Sequence, residues 1–505
     1  MKHMKKLVSV LLTLVMTLVL VVPALAATVT VPSDGILKDH TFTAYQVFSG
    51  REEDGVLSDV QWGSGIDSTA FLAALKADAT YGSLFTNCTD AAAVAKVLSD
   101  NNTNTALANQ VAKLAYDNKT GTGTVLTSGE NTLADGYYLV VDTTADVGQG
   151  GAYNAALLQV VGDNIEIKVK TDAPSIDKII VDADANNGKG TAQDVGSKVQ
   201  FQLNSTVPDM EYYDTYTYIV HDTMSAGLTF NNDVVVTIGG VAYTDFTVAK
   251  DGQSFTITFN DFINQKANKG KAIVITYSAT INENALTTNV ETNTVYLEYS
   301  NQPNDSTSKG KTPNKTVYVY DFDIVIDKYT GDETTGARLS DAKFVLLNVE
   351  KTKYYYYNET TKKVEWNALA DGETMEDVLK AGYNGTTKIT EVTTDATGAA
   401  KFQGLDSGTY YLHETAAPAG YNMLAGDVEV IISATYNTDG TIANSTATST
   451  GNGQYQQTQK VENNAGTTLP ETGGMGTTLF YVLGSILVLG AGILLVTKKR
   501  MSSEK

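Results

Sequence analysis

Residues 410–421 read YYLHETAAPAGY, and this stretch decides how the surrounding chain folds. Tyr410, Leu412 and Glu414 stand at alternate positions, and alternation places them on one face of a β-strand. Because the tyrosine and the leucine suit a core, the pattern aims Glu414 inwards as well. This acid is a candidate partner for a buried base elsewhere in the chain.

Two lysines lie inside otherwise apolar strand starts, where charged groups are unusual. Lys178 stands in residues 175–180, which read SIDKII, and Lys328 ends residues 324–328, which read IVIDK. Period two places Lys328 on the same face as the isoleucines two and four positions before it. If that face is the core, Lys328 must lose its charge or find a partner.

The stretch at 410–421 resembles the YxLxETxAPxGY signature of the B-type domains of collagen adhesins and pilins, and every fixed position matches. The resemblance implies that Glu414 catalyses an isopeptide bond between Lys328 and Asn463, which stands at the end of the last strand. Asn464 is an alternative to Asn463. An ion pair of Lys328 and Glu414 without bond formation is the other interpretation.

The chemistry of such a bond follows from burial. Burial lowers the pKa of a lysine, which becomes a neutral nucleophile, and raises the pKa of a carboxylic acid, which stays protonated. The acid can then polarise the asparagine carbonyl and move a proton as ammonia leaves. No external enzyme is required, because folding holds the groups at effective molarities of about 10⁵ M or more.

A second set of residues follows the same logic earlier in the chain. This region resembles the A-type collagen-adhesin fold and the middle domain of major pilins. The resemblance implies Lys178 as the amine, Asp222 as the acid and Asn293 as the carbonyl partner. Asn301 is an alternative to Asn293, and we identify no comparable triplet in the first domain.

A short motif stands close to the carboxyl end of the chain: Leu469-Pro470-Glu471-Thr472-Gly473. It is followed by an apolar segment, residues 477–496, and then by basic residues, a combination that predicts a membrane span with a cytoplasmic tail. The three parts together resemble the LPXTG sorting signal of Gram-positive cell-surface proteins. The resemblance implies that a membrane sortase, through a cysteine nucleophile, cuts between Thr472 and Gly473 and holds the Thr472 carbonyl as a thioester. Pro470 keeps the motif extended for the cleft of the enzyme.

Residues 1–26 have the three parts of a secretory signal, namely lysines, an apolar run and a small-residue cleavage site. An N-terminal membrane anchor is the alternative, although the run is short for a bilayer span of about 20 residues. Each end that would be removed carries a net charge of +3, so processing changes the net charge from −21 to −27. The mature chain should therefore be highly soluble outside the cell.

A lysine near the first domain boundary is the candidate acceptor for the sortase-bound thioester. Residues 165–174 read IEIKVKTDAP and resemble the pilin motif, VYPKN in its usual form, with Lys170 at the lysine position. The tyrosine, proline and asparagine of that motif are replaced by Lys168, Val169 and Thr171. Lys168 has the same strand parity and is the alternative acceptor. A solvated strand end without an acceptor role is the other interpretation.

The composition and the spacing of apolar residues predict a mainly β chain of tandem immunoglobulin-like β-sandwich domains, with an α+β domain at the N-terminal side. The first domain mixes strands with apolar residues at helical spacing, whereas the later strands alternate and are bounded by Gly, Asn and Asp. One cysteine in 505 residues excludes an internal disulfide framework. The predicted segments are a signal peptide at 1–26, domains at 27–171, 172–315 and 316–466, and the sorting signal, span and tail at 467–505.

Catalytic and metal-binding motifs find little support. The histidines of the mature chain, His40, His221 and His413, are far apart in sequence and form no HExxH pattern. Cys88 lacks an obvious partner base and is interpreted as a buried free thiol. Residues 182–188 are similar to a calcium loop, but the glycine comes too late and the closing glutamate is missing. We therefore predict no cofactor and no metal.

The resemblances together imply the backbone subunit of a sortase-assembled pilus that supports adhesion. Its partners would be sortases, other copies of itself, minor pilins, peptidoglycan and a host matrix or glycan. An excess of 57 acidic over 36 basic residues argues against nucleic acid as a partner. A monomeric wall-anchored adhesin that binds host matrix or glycan is the main alternative, and a minor or anchoring pilin is intermediate. An enzyme with an external substrate has the least support.

Overall fold

Three groups of β-sheets follow one another along the chain in the computed structural model. Among the residues that the structure describes, four α-helices lie within the first group, which confirms the predicted mainly β chain with an α+β N-terminal domain. The structure describes residues 26–33, 40–145, 147–148, 150–153, 155–161, 165–167, 173–211, 213–288, 290–303, 305–451, 453–466 and 481–493.

The first domain packs helices against a sheet. Its elements are β1 (Ala26–Val31), β2 (Phe42–Glu53), β3 (Val56–Trp62), α1 (Ser68–Ala77), α2 (Gly82–Phe85), α3 (Ala91–Asp100), α4 (Thr105–Asp117), β4 (Thr124–Leu126), β5 (Gly129–Ala134), β6 (Gly136–Asp142), β7 (Ala155–Val160) and β8 (Ile165–Glu166). One sheet has the order β3-β2-β6-β7 with β4 beside β2, and the other has the order β5-β1-β8.

Side-chain caps determine where the helices of the first domain begin. Asp67, Asp90 and Asn104 accept hydrogen bonds from first-turn backbone N–H groups of α1, α3 and α4. The apolar faces predicted from helical spacing then pack with the sheet into one core. Cys88 is buried in that core as a free thiol, as the sequence predicted.

The middle domain is a sandwich of two mainly antiparallel sheets. Its strands are β9 (Ile176–Ile180), β10 (Gly190–Ala192), β11 (Lys198–Thr206), β12 (Tyr218–Met224), β13 (Leu228–Phe230), β14 (Val235–Ile238), β15 (Val241–Tyr243), β16 (Phe246–Asp251), β17 (Ser254–Phe259), β18 (Ala272–Ile281), β19 (Val290–Ser300), β20 (Lys309–Lys311) and β21 (Lys315–Tyr320). One sheet has the order β10-β21-β19-β12-β17-β16 with β20 beside β19, and the other has the order β15-β14-β18-β11-β9 with β13 beside β18. The inward residues of both sheets form a single core.

The last strand of the middle sandwich lies beyond the predicted domain boundary. β21 pairs antiparallel with β19 and parallel with β10. The boundary predicted between residues 315 and 316 thus lies one strand before the change of sheet, which occurs near Asp321. Val317 and Val319 are buried, but their alternation carries no information about which of two consecutive sandwiches they enter.

The third domain is a second sandwich. Its elements are β22 (Phe322–Thr330), β23 (Ala337–Arg338), β24 (Lys343–Leu347), β25 (Tyr354–Asn358), β26 (Lys363–Asn367), α5 (Met375–Leu379), β27 (Val392–Thr393), β28 (Ala399–Leu405), β29 (Gly408–Ala416), β30 (Val428–Ile432), β31 (Ala434–Tyr436), β32 (Ile442–Ser445), β33 (Thr448–Ser449) and β34 (Tyr455–Glu462). One sheet has the order β23-β22-β34-β33 with β28 beside β22, the other has the order β26-β25-β24-β29-β30 with β27 beside β24, and β31 pairs with β32. The first and last long strands, β22 and β34, are parallel neighbours.

A polar joint connects the middle and third domains. The Asp194 carboxylate accepts hydrogen bonds from the Trp366 indole N–H and from the backbone N–H of Asp406, both at 2.8 Å. The Val195 backbone N–H donates to the carbonyl of Gly404 at 2.9 Å. Gly404 has a φ of +71°, and a Cβ there would lie 2.8 Å from the Val195 side chain, so the close approach requires glycine.

The end of the chain is helical over residues 481–493. These residues fall inside the segment 477–496 that the sequence predicts to span a membrane, whose remaining positions lie outside the described residues. In the described stretches of the chain, no helix has both the length and the apolar character needed to cross a bilayer.

Candidate functional site

The third domain brings a lysine, an acid and an asparagine together in its core. Lys328 lies on β22, Glu414 lies on β29 of the other sheet, and Asn463 directly follows β34. The exposed fractions of these residues are 0%, 3% and 1%. Lys328 pairs with Val461 across the parallel strands, so the lysine and the asparagine meet at the end of that pair.

Polar contacts link the three side chains into one cluster. The Lys328 Nζ contacts the Asn463 Oδ1 and lies 3.6 Å from the Glu414 Oε1. The Asn463 Nδ2 donates to the same Glu414 Oε1 at 2.9 Å. The Glu414 Oε2 accepts a hydrogen bond from the backbone N–H of Leu424 at 2.8 Å, which holds the carboxyl group in place. The acid therefore touches the amide nitrogen that bond formation would release.

Burial makes the Lys328 amine a better nucleophile. Removal from water disfavours the ammonium form and lowers the pKa of Lys328 from 10.5 to about 8, although Glu414 attracts the charge. The neutral amine has the lone pair that attacks a carbonyl carbon, whereas the ammonium form has none. The Nζ also donates to the Val461 carbonyl at 3.2 Å, which orients it beside the asparagine.

The middle domain builds a second cluster from both sheets of its sandwich. Lys178 lies on β9, and Asp222 and Asn293 lie on β12 and β19 of the facing sheet. The exposed fraction of each residue is 0%. Alternation explains this placement, because each residue stands between buried neighbours two positions away on its own strand.

The contacts in the middle cluster run through a fourth residue. The Lys178 Nζ lies 2.7 Å from the Asp222 Oδ2 and contacts the Asn293 Oδ1. The hydroxyl of Tyr277, on β18, donates to the same Asp222 Oδ2 at 2.6 Å. The Asn293 Nδ2 in turn donates to the Tyr277 hydroxyl at 3.1 Å. In this domain the acid reaches the amide nitrogen through a tyrosine.

Burial favours the neutral form of each titratable group in the middle cluster. It lowers the pKa of Lys178 from 10.5 to about 8, although Asp222 attracts the charge. It raises the pKa of Asp222, with Lys178 opposing the change, and it raises the pKa of Tyr277 well above 10. A neutral amine held against an amide carbonyl is a suitable starting state for amide formation.

The structure distinguishes the asparagines that the sequence left open. Lys178 contacts Asn293, whereas the Asn301 Oδ1 accepts a hydrogen bond from the hydroxyl of Ser308 at 2.8 Å. Asn464 is exposed, and it follows the buried Asn463 on the chain. The geometry thus brings Lys178 to Asn293 and Lys328 to Asn463.

Tyr277 is a member of the middle cluster that the sequence pattern did not single out. The sequence does contain a pattern that points to it, because Tyr277 alternates with Ile273 and Ile275. The structure shows these three residues on β18, all of them buried. A tyrosine that points into a core requires a partner for its hydroxyl. The sequence does not reveal that partner, because Asp222 and Asn293 come from the facing sheet.

The residues predicted for sortase chemistry lie outside the described residues. They are Leu469, Pro470, Thr472 and Gly473 of the sorting motif and the candidate acceptors Lys168 and Lys170.

The histidines contact groups outside the two clusters. The His40 Nδ1 lies 2.7 Å from Asp142, and the His413 Nδ1 lies 2.7 Å from Asp427. His221 stacks on a tyrosine ring at a centroid distance of 4.5 Å. Among the residues that the structure describes, no group of three or more His, Cys, Asp and Glu side chains is arranged to hold a metal ion.

Three family models match parts of the chain. A Gram-positive pilin backbone subunit 2, Cna-B-like domain matches residues 195–303, a prealbumin-like fold domain matches residues 323–446, and an LPXTG cell wall anchor motif matches residues 461–503. The first two matches contain Asp222 and Glu414. The Cna-B-like description of the middle region differs from the A-type domain that the sequence resemblance implied.

Two curated proteins are similar to about half of the chain. Fimbrial subunit type 2 of Actinomyces naeslundii is 28% identical over 273 residues, which are 49% of this chain and 49% of that protein. Platelet adherence protein A of Streptococcus gordonii is 29% identical over 228 residues, which are 44% of this chain and 6% of that protein. The chain therefore spans half or less of the length of these relatives.

A solved structure has a similar fold over most of the chain. The T6 backbone pilin of serotype M6 Streptococcus pyogenes is 18% identical, has a TM-score of 0.51, and matches 80% of each chain. At this identity the likeness concerns the fold alone. That protein is described as a modular three-domain structure, which agrees with the three groups of sheets found here.

Proposed function

We propose that the chain forms a covalent pilus on the cell surface, because residues 195–303 match a Gram-positive pilin backbone domain and residues 461–503 match a wall-anchor motif. A sortase would cut after Thr472 and transfer the Thr472 carbonyl to Lys170 of the next subunit. Lys168 is the alternative acceptor. The chain is then a structural subunit, and sortase and other copies of itself are its main partners.

The observation that carries the proposal is the combination of an anchor motif with two buried Lys-acid-Asn clusters. Each cluster would join its lysine and asparagine by an isopeptide bond and release one ammonia. The bonds would close loops of 115 and 135 residues. In the chain-entropy model each loop stabilises the folded domain by about 5 kcal/mol. Such bonds would strengthen an extracellular chain that has only one cysteine.

We attach an adhesive role to the polymer. The last subunit would be linked to peptidoglycan, minor pilins would share the fibre, and the exposed surface would contact host matrix or glycan. The similarity of 44% of the chain to a protein named for platelet adherence supports this role.

Immunoblotting of cell-wall extracts tests the polymer. The unaltered strain is expected to give a ladder of high-molecular-weight bands, and a Lys170→Ala strain is expected to give the monomer band only, because the thioester then lacks its acceptor amine. The matched control is Lys168→Ala, which changes a lysine of the same strand parity and should keep the ladder.

Other outcomes of the immunoblot have distinct meanings. A ladder that persists in Lys170→Ala and disappears in Lys168→Ala would move the acceptor to Lys168. A ladder that persists in both strains would contradict this acceptor site. A single anchored band in the unaltered strain would favour a monomeric wall-anchored adhesin.

A further inference from the structure

The two clusters differ in how the acid reaches the leaving nitrogen. In the third domain, the Asn463 Nδ2 donates directly to Glu414 at 2.9 Å. Asp222 is one methylene shorter, and its Oδ2 contacts the Lys178 amine and the Tyr277 hydroxyl. Its Oδ1 has no hydrogen-bond partner within the described part of the chain. Proton exchange with Asp222 therefore runs through the Oδ2 atom.

The Tyr277 hydroxyl fills the gap that the shorter acid leaves. It donates to the Asp222 Oδ2 at 2.6 Å and accepts from the Asn293 Nδ2 at 3.1 Å. A hydroxyl group can donate one proton while it accepts another, which a carbonyl or an ammonium group cannot do. The hydroxyl thus lies directly between the acid and the amide nitrogen that must leave as ammonia.

Aromatic packing fixes the position of this hydroxyl. The Tyr277 ring stacks on Phe201 at a centroid distance of 5.5 Å, and Phe255 and Phe230 meet it at 5.1 Å and 5.9 Å with nearly perpendicular rings. The exposed fraction of Tyr277 is 2%. Bulk water therefore has no access to replace the hydroxyl as a proton carrier.

The geometry points to Tyr277 as a catalytic proton relay for the Lys178–Asn293 bond, an inference that rests on the proposed self-formed cross-links. The neutral Lys178 Nζ attacks the Asn293 Cγ, and the carbonyl π electrons move onto Oδ1. Tyr277 gives its proton to Nδ2 and takes the proton of the neutral Asp222 carboxyl group. The Nζ then gives one proton to the resulting Asp222 carboxylate, and the Cγ–Nδ2 bond breaks as the Oδ1 electrons re-form the carbonyl. The products are a secondary amide and one ammonia, and no oxidant or reductant is needed.

The relay is tested by measuring how fast each cross-link forms in newly synthesised full-length chain, by peptide mapping of samples taken over time. Tyr277→Phe keeps the ring and removes the hydroxyl, so the Lys178–Asn293 cross-link should form about 100-fold more slowly, in the range of general acid–base effects. The Lys328–Asn463 cross-link of the same molecules serves as an internal reference and should form at the unaltered rate.

Tyr218→Phe is the matched control. Tyr218 is equally buried in the middle sandwich, and its hydroxyl donates to Ser205 at 2.6 Å, away from the cluster. This variant should form the middle cross-link at the unaltered rate. Equal rates in Tyr277→Phe and the unaltered chain would overturn the relay. An unaltered chain that never forms the Lys178–Asn293 cross-link would instead refute the proposed bond, and the relay with it.

A second variant separates proton transfer from packing. In the double variant Asp222→Glu, Tyr277→Phe, the longer acid can reach the Asn293 Nδ2 directly, as Glu414 does in the third domain. If the double variant forms the Lys178–Asn293 cross-link at least tenfold faster than Tyr277→Phe does, the relay is supported. A double variant that is folded by near-ultraviolet circular dichroism and as slow as Tyr277→Phe would overturn it.

Discussion

Glu414 holds its carboxyl group between a backbone N–H group and an amide nitrogen. One oxygen accepts from Leu424, and the other accepts from the Asn463 Nδ2 and faces the Lys328 amine. Both oxygens are thus committed, and the shape of the side chain is determined by these contacts. The role of Glu414 in proton transfer can therefore be tested without changing that shape.

Replacing Glu414 with glutamine should prevent the third-domain bond. Glutamine has the same shape, but it cannot take up and return a proton, so bond formation should slow by about 100-fold or more. Intact mass spectrometry of the mature chain should then show a deficit of one ammonia, whereas the unaltered chain should show a deficit of two.

Glu429→Gln is the control for this measurement. Glu429 is exposed on β30, beside the strand that carries Glu414, and its removal should leave a deficit of two ammonia molecules. If Glu414→Gln also showed the full deficit, Glu414 would not be the catalytic acid.

Residue patterns predicted part of the clusters. Alternation with apolar residues is enough to predict that Lys328 and Glu414 face inward. Tyr277 shows the limit of such patterns, because a strand pattern says which face a residue occupies and nothing about what lies across the core. Which of Asn293 and Asn301 lies against Lys178 depends on the facing sheet in the same way.

At the level of elements, the parallel pairing of β22 and β34 positions the cluster of the third domain. Lys328 stands opposite Val461, two residues before Asn463. Parallel neighbours require a long connection, and here the connection contains nearly all of the domain. A bond at this position would hold the last strand against the first.

Hydrogen exchange should reveal whether β34 is held in this way. Lys328→Ala removes the amine, so β34 could open locally without opening the rest of the domain, and its amides should exchange at least tenfold faster. Mass spectrometry of peptides that cover residues 455–462 measures the change.

Lys343→Ala is the control for the exchange experiment. Lys343 is partly exposed on β24 and pairs with Glu391 at 2.9 Å on the surface, where an ion pair contributes little. This variant should leave exchange in β34 unchanged. Equal exchange in Lys328→Ala and the unaltered chain would mean that the last strand is not held by a bond from Lys328.

The element that sequence reasoning assigned differently is β21. Its alternation correctly indicated a buried strand, but strands of consecutive sandwiches have the same period. Only the hydrogen bonds of β21 to β19 and β10 assign it to the middle domain. Domain boundaries within a run of strands therefore depend on long-range pairing, which a single sequence does not show.

At the scale of the whole molecule, acidic groups meet in the joint between the middle and third domains. Burial, together with the neighbouring Asp194 and Asp184, raises the pKa of Asp406 from 3.8 to about 7. Hydrogen bonds from Ser407 oppose this change. The folded joint therefore binds more protons than the unfolded chain between about pH 4 and pH 7.

Stability should consequently fall as the pH rises through that window. The free energy of unfolding is expected to decrease by about 2–4 kcal/mol between pH 4 and pH 7 and to level off above pH 7. Calorimetric melting from pH 4 to pH 8 measures the effect, and Asp406→Asn should flatten the curve because the titrating group is gone.

Asp371→Asn is the control for the joint. Asp371 is exposed in the third domain, and its replacement should leave the pH dependence of the unaltered chain in place. An Asp406→Asn curve as steep as that of the unaltered chain would assign the pH dependence to other groups.

The parallel pairing of β22 and β34 also determines the path of a tensile force along the proposed fibre. Tension would enter the third domain at β22 and leave it just after Asn463, so it would cross the Lys328–Asn463 link before it reached the core. The 135-residue separation of these two residues corresponds to roughly 450 Å of extended chain. A domain linked in this way would not release that length under load and would act as a short, inextensible tether.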